Sequence, residues 1–351
     1  MKIFCNLSGI HPYFPFEEIK GILEAESISY KIIEKFRNYI ILEIKNDNYQ
    51  PILDRAAFCK GVYNFLFQSP LEINAIKNNI ESINISKIIS DKTTFAVRIN
   101  KFKSKLKQQN IPFNSEQLES IIGELILKCS EKPLKVNLNS PQLIFNGFRF
   151  QNKLILGVEL GRIYTKTFEK RSGPKKPYFH PCGLDPKFSR LMVNIARIKR
   201  GSILYDPHCG IGSILIEAGL VGYRVIGSDI SWKMINGSRI NLKHFRIHKS
   251  EIFRADSRSL PFKNIDHIVS DPPYGRSSPL EGNSIIDLYD KFLNQSKNII
   301  KKDHRIVFAS PQRIAKEIKS ILLDNNFQIE KKFDYYMHRS LIRNLWIIKI
   351  K

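Results

Sequence analysis

The stretch Asp271-Pro272-Pro273-Tyr274-Gly275 places a carboxylate, two prolines and an aromatic ring in consecutive positions. Proline has no N–H to give, and a residue that precedes proline is driven out of the helical region into an extended shape. Pro272 is therefore held extended by Pro273, which fixes the direction of its carbonyl. The Asp271 carboxylate and the Pro272 carbonyl can together accept both hydrogens of a planar exocyclic amine. Tyr274 can stack on the ring that carries the amine, as aromatic side chains do with unpaired or flipped bases. The nitrogen lone pair is then free to attack an electrophile. Taken alone, the pentapeptide could be a proline-rich turn with no chemistry, so its neighbours must decide.

Those neighbours are strand ends. The run His267-Ile268-Val269-Ser270 is short, apolar and β-branched, and reads as a buried strand delivering Asp271 to its carboxyl end. Open α/β sheets do their chemistry there. An earlier strand over 202–205 delivers Asp206 into Pro207-His208-Cys209-Gly210-Ile211-Gly212, and a helix starts at Ser213. Glycines at 210 and 212 let the backbone approach a ligand closely. A strand over 223–227 leads to Asp229, which is 23 residues beyond Asp206 and near the spacing at which an acid reaches a ribose diol. Another strand ends at Asp256. Asp229 and Asp256 also have a ligand-free reading as helix caps.

The same loop discriminates between cofactors. A nicotinamide fold uses GxGxxG so that a pyrophosphate can rest on a helix N-terminus. Here the third glycine is missing and Asp206 would repel pyrophosphate. A cationic ligand, such as the ammonium of S-adenosylmethionine, suits it instead. A strand over 305–310, a helix over 312–323 and two β-like runs over 327–333 and 345–350 close the chain. Such a late hairpin, with an antiparallel strand in the sheet, is typical of methyltransferases and not of dehydrogenases.

Composition sets the outer bounds. The 351 residues carry 56 Lys and Arg against 33 Asp and Glu, a formal charge of +23 that favours a polyanionic partner. The charge is uneven, since residues 1–50 come to −1 whereas 101–200 reach +13. Cys5, Cys59, Cys129, Cys182 and Cys209 form no CxxC or Cys/His spacing, which argues against a zinc site or disulfide framework and fits a reducing cytoplasm. No apolar run approaches a membrane span and no signal-peptide layout opens the chain. The expectation is a cytoplasmic protein with no membrane partner and no metal.

Four segments follow from the pattern. Residues 1–70 alternate β-like runs with a polar helix and form a small α+β, ferredoxin-like unit in which Phe4, Phe14 and Phe16 are core. Residues 71–165 form a second unit, with a strand at Thr94-Phe95-Ala96-Val97-Arg98-Ile99, a lysine run and an amphipathic helix over 115–127. On that helix Ile121, Ile122, Leu125 and Ile126 are expected to share one face. Residues 166–179 read as a basic linker, and 180–351 as the catalytic domain. Lys101, Lys103, Lys105, Arg171, Lys175 and Lys176 are candidate RNA contacts, as is Arg276 just after the catalytic turn; lysine runs are equally common as solvated faces.

Phe95-Ala96-Val97-Arg98 and Val136-Asn137-Leu138-Asn139-Ser140-Pro141, with the strands that end at Glu159-Leu160-Gly161, resemble a THUMP domain, an RNA-binding module of tRNA-modifying enzymes. Asp271–Ser278, Asp206–Gly212 and the block His180–Ala196 resemble a class I S-adenosylmethionine-dependent methyltransferase of the amino-methylating type. Together they are similar to the archaeal tRNA guanine-10 N2-methyltransferases over nearly the whole chain. The resemblance implies an α/β Rossmann-like class I domain, a seven-stranded sheet with an antiparallel C-terminal strand, preceded by ferredoxin-like and THUMP domains. It implies that Asp206, Gly210 and Gly212 surround the methionine part of the cofactor, with His180 and Pro181 nearby. Asp229 would hold the ribose hydroxyls, Ile230 would pack on the adenine, and Asp256 with Ser257 would meet its amino edge. Asp271, Pro272 and Tyr274 would position guanine in tRNA, and the run His338–Arg343 would form a turn facing the substrate. His208 and Ile211 depart from the family, which usually has Phe and Thr there; His208 could alter cofactor packing or add pH sensitivity. Three other readings stay open: an amine on adenine or cytosine of DNA, a guanine elsewhere in tRNA or in ribosomal RNA, and an RNA-binding protein with an inactive methyltransferase domain. Mono- versus dimethylation and the need for a small activating subunit, as in eukaryotic relatives, are not legible.

Overall fold

A computed structural model describes residues 1–89, 93–102, 113–260, 262–275, 284–338 and 341–351. In chain order the first half forms β1 (Lys2–Leu7), α1 (Phe14–Ala25), β2 (Tyr30–Phe36), β3 (Tyr39–Ile44), α2 (Gln50–Arg55) and β4 (Cys59–Pro70). Then come α3 (Ile73–Glu81), β5 (Thr93–Lys101), α4 (Ser115–Cys129), β6 (Leu134–Val136), β7 (Leu143–Phe150) and β8 (Lys153–Arg162). The second half opens with α5 (Lys166–Glu169), α6 (Pro186–Ile195), β9 (Ile203–Asp206), α7 (Ser213–Val221), β10 (Arg224–Asp229) and α8 (Trp232–His244). It continues with β11 (Ser250–Arg254), β12 (His267–Ser270), α9 (Ile285–Ile299), β13 (Arg305–Pro311), α10 (Ala315–Asp324), β14 (Phe327–His338) and β15 (Leu341–Ile350).

The chain divides into two compact units. The first comprises Met1–Ile10, Ser29–Tyr49 and Cys59–Ile163, and is built on an eight-stranded sheet in the order β2-β3-β1-β4-β8-β7-β5-β6. The antiparallel pairing of β4 with β8 joins the leading strands to the THUMP-like ones in a single sheet. Helix α4 is set by a capping box between Asn114 and Gln117, which satisfies backbone donors at its N-terminus. Its buried row is Leu118, Ile122 and Ile126, one residue per turn, with Leu125 packed at the margin. Phe4 is core, tilted against Tyr39, Tyr63 and Phe148.

The second unit comprises His11–Ile28, Gln50–Phe58 and Tyr164–Lys351. Its sheet runs β11-β10-β9-β12-β13-β15-β14, with β15 antiparallel to both of its neighbours. The remaining pairs are parallel. From β9 the strands step outward to β10 and β11, and from β12 to β13, with β15 inserted before β14 at the far edge. The crevice between their carboxyl ends is the place where such sheets take ligands.

Helix α1 and the segment after α2 belong to this unit for a physical reason. The buried Glu18 carboxylate accepts the N–H groups of Ala57 (2.9 Å) and Phe58 (2.8 Å) and the Asn194 amide (3.0 Å). Those bonds offset a burial that pushes its titration upward. Phe14 and Phe16 are both buried, and Phe14 packs on Phe188, Phe333 and Tyr335. Among the described residues no helix is long and apolar enough to cross a membrane.

Candidate active site

Strands β9 and β12 lie side by side in parallel register, so Asp206 and Asp271 emerge at the same edge. Asp206 is 1% exposed and its Oδ1 accepts the Ser270 hydroxyl at 2.7 Å and the His208 N–H at 3.1 Å. Burial drives its carboxyl up to about 7, and its strongest charged neighbours are the carboxylates of Asp271 and Asp229. A buried carboxylate in acidic company calls for a cation. S-adenosylmethionine brings an ammonium and a sulfonium, so the donor set fits it.

The loop after Asp206 is built for close approach. Gly210 (φ +52°) and Gly212 (φ +81°) occupy the left-handed region. A Cβ on Gly212 would lie 2.7 Å from Ser238 Oγ, whereas one on Gly210 would meet open space. Asp229, at the end of β10, accepts the Gly210 N–H (3.0 Å) on one oxygen and the Ser231 N–H (2.9 Å) on the other. It thereby pins the loop from the neighbouring strand. Ile230, 40% exposed, offers an apolar surface beside it. Asp256 is ion-paired with Arg258 at 2.6 Å, which holds its carboxyl below the usual range, and Ser257 is buried next to it.

His208 accounts for its own presence. Its Nδ1 lies 3.0 Å from Ser270 Oγ, and its ring stands edge-on to Phe292. Because the Ser270 hydroxyl gives its proton to Asp206 Oδ1, Nδ1 is the donor in the bond to the serine oxygen. Burial lowers its pKa to about 3, so the ring is neutral at working pH and does not add a charge switch. Its Nε2 is buried without a partner. Ile211 packs on Gly183, where a Cβ would sit 2.7 Å from the isoleucine Cδ1.

The acceptor half sits on the next strand. Pro272 is buried, and Tyr274 donates its hydroxyl to Asp271 Oδ1. Arg343 on β15 places a guanidinium nitrogen 3.8 Å from Asp271 Oδ2 and its Cζ 5.3 Å from the centre of the Tyr274 ring. Burial pushes the Asp271 carboxyl upward, opposed by Arg343 and by the tyrosine bond. Ser270 is a site residue that the sequence did not single out, and Arg343 enters there only as the last residue of the run 338–343 expected to face the substrate. The segment 338–343 was expected as a turn, but Arg343 stands in regular pairing with Tyr335 and Pro311. The signal was an arginine at the start of the final strand, which the antiparallel sheet order sets at the carboxyl edge of the parallel strands, and strand order is not visible in sequence.

The other candidate residues divide by exposure. His180 bonds locally, its Nδ1 accepting the Cys182 N–H at 3.3 Å, in a turn with exposed Pro181 that brings Gly183 against Ile211. Lys101 and Lys175 are exposed. Arg171 forks onto Glu217 at 2.6 and 3.1 Å, and Lys176 is 6% exposed with its ammonium on Ser213 Oγ at 2.8 Å. Burial brings the Lys176 ammonium down to about 8. Arg171 is engaged in neutralising Glu217 of α7 and the Lys176 ammonium is buried against Ser213 at the start of that helix, so neither is presented as the phosphate contact expected of it. Lys103, Lys105 and Arg276 lie outside the described residues.

Comparison with known proteins agrees with this layout. The family profile of the RMKL-like methyltransferase domain matches residues 174–343, and the THUMP domain profile matches 72–159. A tRNA (guanine(10)-N2)-dimethyltransferase of Methanothermobacter thermautotrophicus is 32% identical over 99% of both chains. A tRNA (guanine(6)-N2)-methyltransferase of Methanocaldococcus jannaschii is 24% identical over 75% of this chain and 78% of its own. The crystal structure of TrmN from Thermus thermophilus shares the fold at a TM-score of 0.56 with 18% identity, covering 100% of both chains. The chain belongs to the archaeal THUMP-domain, class I S-adenosylmethionine-dependent tRNA (guanine-10-N2)-methyltransferase family.

Proposed function

We propose that the protein methylates the exocyclic N2 amine of guanine-10 in tRNA by direct transfer, with the amine held by Asp271 and the Pro272 carbonyl. The observation that carries this reading is the pair of acidic strand ends in one crevice, Asp206 with no cation beside it among the described residues and Asp271 beside Tyr274. S-adenosylmethionine supplies the methyl group as a sulfonium-bound electrophile. Asp206 and the glycine loop hold the cofactor's cationic end, Asp229 its ribose, and Ile230 with Asp256 and Ser257 its adenine. The amine of guanine is a weak nucleophile because its lone pair is conjugated into the ring. Accepting both hydrogens at Asp271 and Pro272 twists the amine so that its lone pair is drawn from conjugation and aligned toward the sulfonium methyl. Positioning of this kind accounts for a large part of the barrier lowering. As the new N–C bond forms, the S–C bond breaks with its electron pair returning to sulfur as a neutral thioether; the nitrogen becomes cationic, and the Asp271 carboxylate would take its proton.

The target base lies within folded RNA and has to be flipped into the pocket. Exposed Lys101 and Lys175 contribute to phosphate binding, so tRNA affinity should fall steeply with salt. The position of the target follows the relative that matches the full chain at 32% identity, and its name favours a dimethylated product. The guanine-6 enzyme, which covers 75% of the chain, supports a second reading at another tRNA position. Labelled S-adenosylmethionine is incubated with an unmodified tRNA transcript and with one in which adenine replaces guanine-10, followed by nucleoside analysis. N2-methylated or N2,N2-dimethylated guanosine in the first transcript alone establishes reaction and site. The same product in both keeps the chemistry and moves the position; transfer to neither, with cofactor bound, contradicts the proposal.

A further inference from the structure

We infer that Arg343 is a positioning residue for the acceptor half of the site, setting the Asp271 carboxylate and the Tyr274 ring in the orientation that receives a base. The inference rests on the acceptor-site reading above and deepens it. Arg343 reaches this edge because β15 runs antiparallel between β13 and β14, opposite Pro311 and Tyr335. Three groups close on one another there. Tyr274 donates to Asp271 Oδ1, Arg343 stands 3.8 Å from Asp271 Oδ2, and the same guanidinium lies 5.3 Å from the Tyr274 ring centre. A further ring, Phe188, lies 5.8 Å from its Cζ and is itself stacked on Tyr335 at 4.9 Å. The Arg343 side chain is 13% exposed, and its buried Nε makes no hydrogen bond. Burying a guanidinium and leaving a donor unmatched is costly. An apolar residue would fill the same space at less cost, so the charge and the planar fork are what this place uses.

Two consequences follow for the chemistry. A buried carboxylate drifts toward its protonated form, and a protonated Asp271 would point an O–H at the amine instead of accepting from it. The groups facing Asp271 are Arg343 from β15, Tyr274 from its own turn, Tyr289 from α9 and the Asp206 carboxylate from β9. Tyr335 on β14 faces Arg343 from behind, and Arg313 donates to the Tyr274 carbonyl. Among the described residues Arg343 is thus the cation aimed at the carboxylate. It also covers one face of the Tyr274 ring by a cation–π contact, which leaves the opposite face for a base and fixes the tilt of the platform.

The test uses Arg343→Met and Arg343→Lys in the full-length enzyme. It reads kcat/KM for tRNA from pH 5.5 to 9 and the cofactor Kd. Arg343→Met should lower kcat/KM on the order of 10²-fold at neutral pH, as misplacement of a reacting group does. Its acid limb should move to higher pH, with cofactor affinity within about twofold of wild type. Arg343→Lys should restore the limb but recover the rate only in part, since an ammonium lacks the flat fork that covers the ring. A purely structural role would scale the rate equally at every pH in both variants, and that result overturns the inference. So does a loss of cofactor binding in the folded Lys variant. Where Arg343→Met fails to fold, the limb of Arg343→Lys decides, because a lysine profile displaced like that of an uncharged residue would contradict the role. Absence of transfer by the wild-type enzyme itself overturns the acceptor-site reading and this inference with it.

Discussion

Asp206 and Asp271 emerge from adjacent strands, one buried and the other mostly so, and both are pushed upward by desolvation, yet their surroundings differ in one respect. Asp271 has a cation of its own in Arg343 and a phenol on one oxygen. Among the described residues Asp206 has neutral partners only, a serine hydroxyl and a backbone N–H, and two carboxylates for charged company. The first is equipped to stay anionic while it accepts hydrogens from a neutral amine. The second is left wanting a positive charge, and the cofactor carries one. Position on the sheet makes the two aspartates look equivalent. The nearby charges assign them to different halves of the reaction.

The largest effect that tests this division is at Asp271. Asp271→Asn should lower single-turnover methyl transfer by about 10² or more, since one acceptor becomes a donor facing the amine. Cofactor titration of the same variant should stay within about twofold of wild type; a large loss there would erase the distinction between the halves. A smaller effect is expected in the cofactor loop. Gly212→Ala forces a φ of +81° on alanine and drives its Cβ against Ser238, whereas Gly210→Ala meets only the backbone preference at +52°. Thermal melts should show Gly212→Ala the less stable by about 1–2 kcal/mol, with weaker cofactor binding. Equal melting of both variants would remove the close approach to Ser238 from the account. The smallest effect belongs to Asp256, whose charge is already matched by Arg258. Asp256→Asn should change cofactor affinity by only a few-fold in calorimetry, and a loss as large as that of Asp206→Asn would mean that the demand for a cation is shared around the crevice.

The acidic strand ends were legible because each is local. A short apolar run followed by aspartate and then proline or glycine announces a strand, its carboxyl end and a turn. The antiparallel final strand was readable from the two β-like runs after the last helix. What sequence could not convey was partnership at long range. Arg343 meets Asp271 through the order β12-β13-β15, which no spacing rule encodes. Lys176 and Arg171 read as linker charge because Glu217, which binds Arg171 and whose field Lys176 feels, lies on a helix that only the fold brings near. Helix α1 read as part of a leading domain, yet Glu18 and Phe14 tie it to α6 and β14 in the catalytic unit. His208 is similar, since its bond to Ser270 turns a departure from the family pattern into a clasp between two strands.

The most direct test of the difference between the two aspartates is the number of protons released when S-adenosylmethionine binds, read by calorimetry at pH 6 in buffers of different ionisation enthalpy. In the ligand-free protein the Asp206 carboxyl keeps its proton up to about 7, whereas an unfolded aspartate loses it near pH 4. The free fold therefore holds the extra proton and loses stability as pH rises across that window, and a bound cation that discharges the proton removes the slope. Wild type should release close to one proton per cofactor at pH 6, a value that falls toward zero above pH 8, while Asp206→Asn should release almost none and bind more weakly. Release that persists undiminished in Asp206→Asn, or no release from wild type at pH 6, would contradict the assignment of Asp206 as the carboxylate that waits for the cofactor's charge.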